Sequence, residues 1–323
     1  MPGPPLVTGA TGFAGSHLVD HLLGREARVA AWGHVGGRSV SSSLPSARDD
    51  RVAWSSVDLL NLDGLTRALD ALRPSVIFHC AGIADVHAAW QSSASALRVN
   101  AVGTHYLLEA VRRVRLEIPV LVTGSALVYR SSTPAIDEES PLGPSTPYGV
   151  SKLAQEMAAL RVPWCPVFLT RPFNHGGPRQ SDAYVTSSFA RQIAEIEAGV
   201  REPVLHVGNL ESRRDLTDVR DTVRAYQLIV DRGQARRPYN VCCGRAYRIA
   251  DLMATLLSQA RVAIRVQTDH GRLRPSDTPV VLGSFARLEA ETGWQPRIPI
   301  ERTLADLLDY WRGVTEARGA PRS

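Results

Sequence analysis

Short apolar runs alternate along the chain with segments of helical character. The apolar runs predict β-strands within 4–9, 27–32, 51–59, 75–82, 118–125, 165–172 and 237–244. Helices are predicted over 13–23, 65–72, 98–113, 148–160 and 219–230. Strands that alternate with helices are joined as parallel strands by right-handed crossovers. We therefore expect an α/β fold with a doubly wound parallel sheet.

The alternation changes after about residue 173, where segments rich in Gly, Pro and Arg are interrupted by helices such as 219–230, which Asp218 can cap. We expect these segments to form a smaller, discontinuous domain over the carboxyl edge of the sheet. The expected division is a large domain of 1–172 plus about 212–243, and a smaller domain of about 173–211 plus 244–323.

The segment 148–160 carries an apolar stripe with the spacing i, i+3, i+4, i+7 and i+8. The stripe consists of Val150, Leu153, Ala154, Met157 and Ala158. Ser145 or Thr146 can cap the start of this helix. Because an α-helix turns by about 100° per residue, Tyr148 and Lys152 lie together on the opposite side. We expect the stripe to be buried and this pair to face away from the core.

The charge balance is mildly basic, since 37 Lys and Arg residues against 32 Asp and Glu residues give a net charge of +5. The charges are spread along the chain, which favours an anionic small-molecule ligand over nucleic acid. The cysteines lack Cys-x-x-Cys spacing and we expect reduced core residues: Cys80, Cys165, Cys242 and Cys243. The N-terminal residues lack a secretion signal, and no stretch has the roughly 18 apolar residues of a membrane span. We therefore expect a soluble, cytoplasmic protein.

A glycine-rich turn, in the sequence TGATGFAGSHL, follows the first predicted strand directly. Gly9, Gly12 and Gly15 give the spacing G-x-x-G-x-x-G between a strand and a helix. At such a turn, backbone N–H groups and the helix N-terminus can hold a pyrophosphate. The motif predicts a Rossmann-like dinucleotide site, and a purely structural turn is the alternative.

The residues after the second strand indicate which dinucleotide binds. NAD sites usually have an acidic residue about 20 positions beyond the glycine turn, where it holds the adenosine ribose. The chain has none there and offers His34 and Arg38, two possible cationic partners for a 2′-phosphate. We therefore predict NADP(H) rather than NAD(H). Asp58, after the third strand, is a candidate adenine contact, and an exposed loop aspartate is the alternative.

Ser125 lies at the carboxyl end of the fifth predicted strand, where doubly wound proteins bind ligands. With Tyr148 and Lys152 it would supply what hydride transfer to a carbonyl needs: a hydroxyl that holds the oxygen, a phenol that donates the proton and a cation beside the phenol. A free phenol has a pKa of about 10, and a neighbouring ammonium lowers such a pKa. We therefore expect Lys152 to acidify Tyr148. The alternatives are a turn serine and an exposed Tyr–Lys pair.

The glycine turn, Ser125 and Tyr148-x-x-x-Lys152 resemble the extended short-chain dehydrogenase/reductase family over almost the whole chain. The further similar stretches are RPFNHGGPRQ (171–180), VGNLESRRDLTDVRD (207–221), YNVCCG (239–244), RLRPSDTPVVLGS (272–284) and TGWQPRIPIERTL (292–304). The resemblance implies that Ser125 orients the carbonyl oxygen, that Tyr148 is the acid and that Lys152 also holds the nicotinamide ribose. The further cofactor contacts that it implies are Thr11, Phe13, Leu59, Ala81, Gly82 and Asn100.

Within this family the similarity is greatest to enzymes that reduce GDP-linked 4-keto-6-deoxy sugars. It implies NADPH-dependent reduction of GDP-4-keto-6-deoxy-D-mannose to GDP-D-rhamnose by a homodimer that pairs through helices of the large domain. Asn174 would contact the sugar, Arg214 and Arg274 would clamp the diphosphate, and Arg179 would lie near the base. The remaining expected substrate contacts are His87, Asn209 and Asp277. Physically, guanidinium groups suit a diphosphate because they bind its oxygens in pairs, although any one of them could be merely solvated.

Position 127 separates this chain from dehydratases of the family, which carry an acidic residue two positions after the serine. Leu127 stands there, and an aliphatic side chain cannot abstract a proton. The alternatives to a 4-ketoreductase are a nucleotide-sugar 4-epimerase with tightly bound NAD, a 4,6-dehydratase and a non-catalytic protein that senses the cofactor. Only the reductase among these consumes NADPH stoichiometrically.

Overall fold

The computed structural model describes residues 3–26, 28–34, 45–130, 135–269, 271 and 279–319. Arg38, Arg274 and Asp277 lie outside these described residues. The α-helices are α1 (Phe13–Leu23), α2 (Leu62–Leu72), α3 (Val86–Gln91), α4 (Ser93–Leu97), α5 (Gly103–Arg113), α6 (Pro147–Leu160), α7 (Val185–Glu197), α8 (Val219–Arg232), α9 (Ile249–Leu257), α10 (Ala286–Thr292) and α11 (Ile300–Gly319). A π-helical turn, Arg98–Val102, joins α4 to α5.

The strands of the described residues are β1 (Leu6–Thr8), β2 (Val29–Gly33), β3 (Val52–Ser56), β4 (Ile77–His79), β5 (Val120–Thr123), β6 (Val167–Pro172), β7 (Asn174–Gly176), β8 (Val204–Val207), β9 (Arg213–Asp218), β10 (Pro238–Val241), β11 (Ala246–Arg248), β12 (Arg265–Thr268) and β13 (Val280–Val281). Each strand predicted from an apolar run is present, and so is each predicted helix.

A parallel sheet of seven strands within the described residues forms the centre of the fold, in the order β10-β6-β5-β4-β1-β2-β3. Apolar side chains of α1 and α8 cover one face, and those of α2 and α5 cover the other. The chain reverses its direction of progress across the sheet between β1 and β4. In such folds the crevice at the carboxyl ends of these strands is where ligands bind. The predicted doubly wound α/β fold is confirmed.

Smaller sheets follow along the chain. β9 pairs antiparallel with β11 and parallel with β13 and β7, while β8 pairs with β12. A separate apolar core joins α7, α9 and α11. The predicted cap of α8 is confirmed, because the Asp218 carboxylate accepts a hydrogen bond from the Arg220 backbone N–H at 2.8 Å. This region delivers β7 and β9 to the edge of the large sheet, where they complete a cleft.

The buried face of α6 differs from the one that its apolar stripe predicts. Val150 and Met157, two members of the stripe, are 44% and 55% exposed, whereas Tyr148 and Lys152 are buried. A periodic stripe shows which face of a helix is apolar but not which face this chain covers. The polar face is buried here because its groups form hydrogen bonds inside the protein: the Ser151 hydroxyl, for example, accepts from Asn100 at 2.9 Å.

The cysteines are free thiols, as predicted, and two of the four, Cys165 and Cys242, are fully buried. Cys80 and Cys243 are half-buried, so their expected place in the core is only partly confirmed. Among the described residues, each helix falls short of the length and apolar character needed to cross a membrane.

A buried ion pair connects α6 to β6. The Arg171 guanidinium donates to both carboxylate oxygens of Glu156, with Nε to Oε2 at 3.0 Å, and the two side chains are 5% and 4% exposed. Arg171 also donates to the Tyr129 hydroxyl at 2.8 Å, and that hydroxyl donates to Asn240 at 2.7 Å. These contacts fix α6 and the segment after β5 on the same part of the sheet.

Replacing Glu156 by alanine should lower the free energy of unfolding by about 3–5 kcal/mol, because it leaves the Arg171 charge buried without its partner. Urea denaturation measures this loss. Asp70→Ala, which removes the exposed partner of Arg73, is the matched control and should cost less than about 1 kcal/mol. Equal losses in the two variants would show that the buried pair stabilises the fold no more than an exposed one.

Candidate active site

A cleft of about 1190 Å³ lies at the carboxyl edge of the large sheet. It runs from the β1–α1 turn, past the ends of β4 and β5, to β7 and β9. Its lining includes the reactive side chains Ser125, Tyr148 and Lys152, so the three predicted catalytic residues lie in one place. This position agrees with the switch point of the strand order.

The glycine turn forms one end of the cleft. Its backbone is packed so closely that residues larger than glycine would not fit at Gly9 and Gly15. Gly9 has φ +67°, and a Cβ atom on it would lie 2.6 Å from the Ala81 backbone nitrogen. A Cβ on Gly15 would lie 2.2 Å from the Gly9 carbonyl oxygen. Helix α1 starts directly after Gly12, which offers its first turn no side-chain cap. Its N-terminal N–H groups therefore point at the cleft as an anion site.

The predicted cofactor contacts within the described residues line this part of the cleft, with the exception of Asn100. Those that do are Gly9, Thr11, Gly12, Phe13, Gly15, His34, Asp58, Leu59, Ala81 and Gly82. Asn100 is fully buried and does not line it. Its amide instead accepts from the Ile83 N–H at 2.8 Å and donates to the Ile83 carbonyl at 3.1 Å. Asn100 therefore shapes the segment after β4 rather than the cleft surface.

Ser125 and Tyr148 form the reactive centre. The Ser125 hydroxyl follows β5, accepts the Leu127 N–H at 3.2 Å and lies close enough to Tyr148 to lower its pKa. Thr146 caps α6 by accepting the Gly149 N–H at 3.0 Å, as the sequence predicts. The cap fixes where α6 begins, and Tyr148 lies in its first turn.

The acidity of Tyr148 differs from the sequence expectation. Burial raises the pKa of Tyr148, and the neighbouring Ser125 hydroxyl offsets only part of this increase. The Lys152 ammonium lies 6.0 Å from the centroid of the tyrosine ring and donates elsewhere. The expectation that Lys152 acidifies Tyr148 is therefore wrong for this arrangement. A phenol with a raised pKa keeps its proton near pH 7, as a general acid must.

Lys152 is 4% exposed. Its ammonium donates to the Thr123 carbonyl oxygen and to the Gln155 amide oxygen, each at 2.9 Å. Burial lowers the pKa of Lys152 to about 8, and the neighbouring Cys80 thiol acts in the opposite direction. The predicted cation is thus present beside the phenol, close to Gly82 at the surface of the cleft.

Two of the predicted substrate contacts, Asn174 and Arg214, line the other end of the cleft. Burial lowers the pKa of Arg214, whose Nη1 donates to the Arg213 carbonyl oxygen at 2.8 Å. Asp215 is fully buried and accepts the backbone N–H groups of Cys243 and Gly244 at 2.8 and 3.0 Å.

Three other predicted substrate contacts do not line the cleft. His87 is exposed on α3, where its ring lies 3.2 Å from Gln91. The Arg179 guanidinium pairs with Asp20 at 2.7 Å on α1. Asn209 is exposed and accepts the Glu211 N–H at 2.9 Å. These three predictions rested on the resemblance to the family. In the structure each side chain has a partner outside the cleft and points toward that partner.

Sequence reasoning missed several residues of the cleft. Trp90, Gln180 and Tyr184 line it, and the Tyr184 hydroxyl donates to the Ala84 carbonyl oxygen across its mouth at 3.3 Å. These residues lie next to turns or on a short helix, where no periodic pattern marks them. Gln155, which is buried beside Lys152 and does not line the cleft, had a usable signal, because position i+3 from Lys152 lies on the same face of a helix.

Comparison with known proteins agrees with this geometry. The family model described as GDP-mannose 4,6 dehydratase matches residues 6–307. The GDP-6-deoxy-D-mannose reductase of Pseudomonas aeruginosa is 35% identical over 313 residues, with 94% of this chain and 96% of the relative covered. A GDP-mannose 4,6-dehydratase of Vibrio cholerae is 24% identical over 358 residues, with coverage of 94% and 92%.

Solved structures show the same relationship. The structure of RMD from Pseudomonas aeruginosa complexed with NADPH superposes with a TM-score of 0.83 at 33% identity, and covers 97% of this chain and 99% of its own. A putative epimerase from Burkholderia cenocepacia has a TM-score of 0.86 at 31% identity, with the same coverage. The chain therefore belongs to the GDP-mannose 4,6 dehydratase family, within the extended short-chain dehydrogenases/reductases.

Proposed function

We propose that this protein is an NADPH-dependent reductase that converts GDP-4-keto-6-deoxy-D-mannose to GDP-D-rhamnose. The observation that carries the proposal is that Ser125, Tyr148 and Lys152 lie together in the cleft at the ligand-binding edge of the sheet. A chain 35% identical to a GDP-6-deoxy-D-mannose reductase over nearly its full length supports this choice of substrate.

The residues of the cleft fit NADPH. The glycine turn has room for a pyrophosphate where a Cβ would collide, and His34 follows β2 without a carboxylate that would repel a 2′-phosphate. The Gln180 amide oxygen is a buried acceptor with no partner among the described residues, so it suits a ligand that carries N–H or O–H donors. NADPH bound here would supply the hydride for C4 of the sugar.

The side chains of this chain would perform the remaining steps. The Ser125 hydroxyl would hold the 4-keto oxygen, and Tyr148 would donate its proton to that oxygen as negative charge develops there. Lys152 would hold the nicotinamide ribose and offset this charge. Arg214, together with Arg274 outside the described residues, would bind the diphosphate, and Asn174 would contact the sugar.

The dehydratase alternative lacks its base. Leu127 lines the cleft two positions after Ser125 and is 41% exposed, so an apolar side chain occupies the place of the catalytic carboxylate. The epimerase alternative would use the same Ser125, Tyr148 and Lys152 but would consume no reductant. Stoichiometry of NADPH oxidation therefore distinguishes it from the reductase.

Incubation of the protein with GDP-4-keto-6-deoxy-D-mannose and NADPH should consume one NADPH per sugar, read from the absorbance at 340 nm. Tyr148→Phe should lower kcat by about 10²- to 10⁴-fold, because it removes the proton donor and leaves the ring in place. Analysis of the sugar by chromatography identifies the product. If NADPH stays reduced with this and related keto sugars, the proposed reaction is wrong.

The same proposal predicts the effect of filling the glycine turn. Gly15→Ala should weaken NADPH binding at least tenfold in a fluorescence titration, because the new Cβ meets the Gly9 carbonyl oxygen. Gly313→Ala is the matched control, since a Cβ there meets nothing within 4 Å in α11. The control should bind NADPH normally and gain up to about 1 kcal/mol of stability. Normal binding by Gly15→Ala would count against a dinucleotide at this turn.

We also propose that the protein is a homodimer that pairs through α6 and its neighbours. The exposed large apolar side chains on these adjoining segments support this surface: Leu97, Val102, Val150 and Met157. Exposed apolar side chains on elements that adjoin one another suit association with a second copy.

Met157→Asp should convert the dimer to a monomer in analytical ultracentrifugation, because it places a charge in the apolar contact. Val200→Asp changes an apolar residue that is 71% exposed after α7 and should leave the dimer intact. If the unaltered protein sediments as a monomer, the proposed dimer is wrong. If Met157→Asp still sediments as a dimer, the subunits do not pair through α6.

Two further expectations remain proposals. The large dinucleotide-binding domain would comprise 1–172 plus about 212–243, and the substrate domain about 173–211 plus 244–323. We place the protein in the cytoplasm, where reducing conditions suit its four free thiols.

A further inference from the structure

Of the 37 lysines and arginines in the sequence, Lys152 is the only lysine. Every other residue with a permanently cationic side chain in the sequence is an arginine. We therefore ask which contacts of position 152 a lysine can make and an arginine cannot. The Lys152 ammonium lies between two carbonyl-type oxygens, of Thr123 and Gln155, each 2.9 Å away. A compact ammonium on a flexible stem fits between two acceptors, whereas a planar guanidinium presents its donors as a rigid fork.

The second acceptor, Gln155, is held in one orientation. Its amide nitrogen donates to the Thr104 hydroxyl oxygen at 2.8 Å. The Thr104 hydroxyl has one proton, which it donates to the Asn100 carbonyl oxygen at 2.7 Å. Thr104 can therefore only accept from Gln155, and the Gln155 amide oxygen must face Lys152. Gln155 is itself fully buried, so water does not compete for it.

The Thr104 hydroxyl accepts a second hydrogen bond, from His79 at the end of β4 in the large sheet. The His79 Nε2 atom lies 2.8 Å from the Thr104 hydroxyl, and Nδ1 lies 2.7 Å from the Thr8 hydroxyl. Because the Thr104 proton is already used, Nε2 must carry the hydrogen and Nδ1 must accept from Thr8. Burial lowers the pKa of His79 to about 3, so the ring is neutral as this pattern requires. The Thr8 oxygen accepts the Ala81 N–H at 3.3 Å.

We propose that Gln155 is a positioning residue: its amide oxygen holds the Lys152 ammonium beside Tyr148 and stabilises its charged form, and the chain from Thr8 through His79 and Thr104 fixes the direction of that amide. Thr8 ends β1 directly before the glycine turn, so the chain also connects that turn to the catalytic lysine. The consequence for the reaction rests on the proposed function, whereas the ionisation of Lys152 can be tested without it.

The groups around the ammonium determine which charges compete with Gln155. Tyr148 faces it from α6, and Cys80 and His79 face it from the end of β4. From β5 the neighbour is the uncharged Thr123, and Glu156, the next residue on α6, is engaged by Arg171. Tyr148, Cys80 and His79 are thus neutral near pH 7 and the Glu156 charge is paired with that of Arg171. Gln155 supplies one of the two hydrogen-bond acceptors to the Lys152 ammonium.

The single lysine makes its ionisation directly measurable. Protein labelled with ¹³C and ¹⁵N in lysine alone gives one ε-CH₂ and Nζ signal by NMR, whose midpoint can be followed between about pH 6 and 11. Gln155→Met removes the acceptor and should lower the midpoint by about 1 pH unit. Gln155→Glu adds a negative charge beside the ammonium and should raise it.

The control is Gln192→Met, which removes another buried glutamine, in α7, whose amide pairs with the His206 backbone. It should leave the Lys152 midpoint unchanged. A loss of packing alone would move the Met and Glu variants in the same direction, so opposite shifts support the proposal and equal or absent shifts overturn it. If Gln155→Met does not fold, Gln155→Glu still decides, because an unchanged or lower midpoint there contradicts the proposal.

The readouts separate this inference from the proposed function, because the titration needs neither NADPH nor a sugar. With an active reductase, the high-pH limb of kcat should move in the same direction as the NMR midpoint in each variant. If the high-pH limb of the kcat profile stays fixed while the NMR midpoint of Lys152 moves, Gln155 has no role in the reaction. If the midpoints shift as expected and no keto sugar is reduced, the proposed function fails and the ionic role of Gln155 stands.

Discussion

Burial of polar groups on α6 is the constraint on which the cleft depends. Tyr148, Lys152 and Glu156 all point into the protein, and each would cost several kcal/mol if it were left without a partner there. Thr123, Gln155 and Arg171 are among the groups that supply the partners. The helix is therefore held by directional contacts, which define its rotation more closely than apolar packing would. The positions of the Tyr148 phenol and the Lys152 ammonium are fixed with the rotation of the helix, because both side chains project from it.

Much of the fold could be predicted from the sequence, because the signals are local. Apolar runs marked the strands of the large sheet, and the glycine spacing marked a turn whose tight contacts exclude side chains. Ser125 could be placed at the ligand-binding edge because parallel strands end there, and Tyr148 was joined to it through the needs of hydride transfer and the family resemblance. The rotation of α6 could not be predicted, since Val150 and Met157 form an apolar stripe whether or not this chain covers it.

The substrate side of the cleft was harder to predict for a related reason. Arg179 and Asn209 lie in stretches that resemble the family. The direction of each side chain nevertheless depends on its partner, which is distant in sequence for Arg179 (Asp20) and part of an exposed turn for Asn209. Tyr184 reaches Ala84 across a hundred residues of sequence. Contacts of this range leave no periodic trace in a single sequence. The acidity of Tyr148 was also misjudged, because the cost of its burial depends on how completely the fold removes it from water.

Helix α6 is a single body of 14 residues, about 21 Å long, with catalytic groups on one side and exposed apolar groups on the other. Any contact that presses on Val150 or Met157 is therefore transmitted, without an intervening loop, to the segment that carries Tyr148. The outer surface of α6 and the floor of the cleft therefore cannot change independently, because one helix forms both.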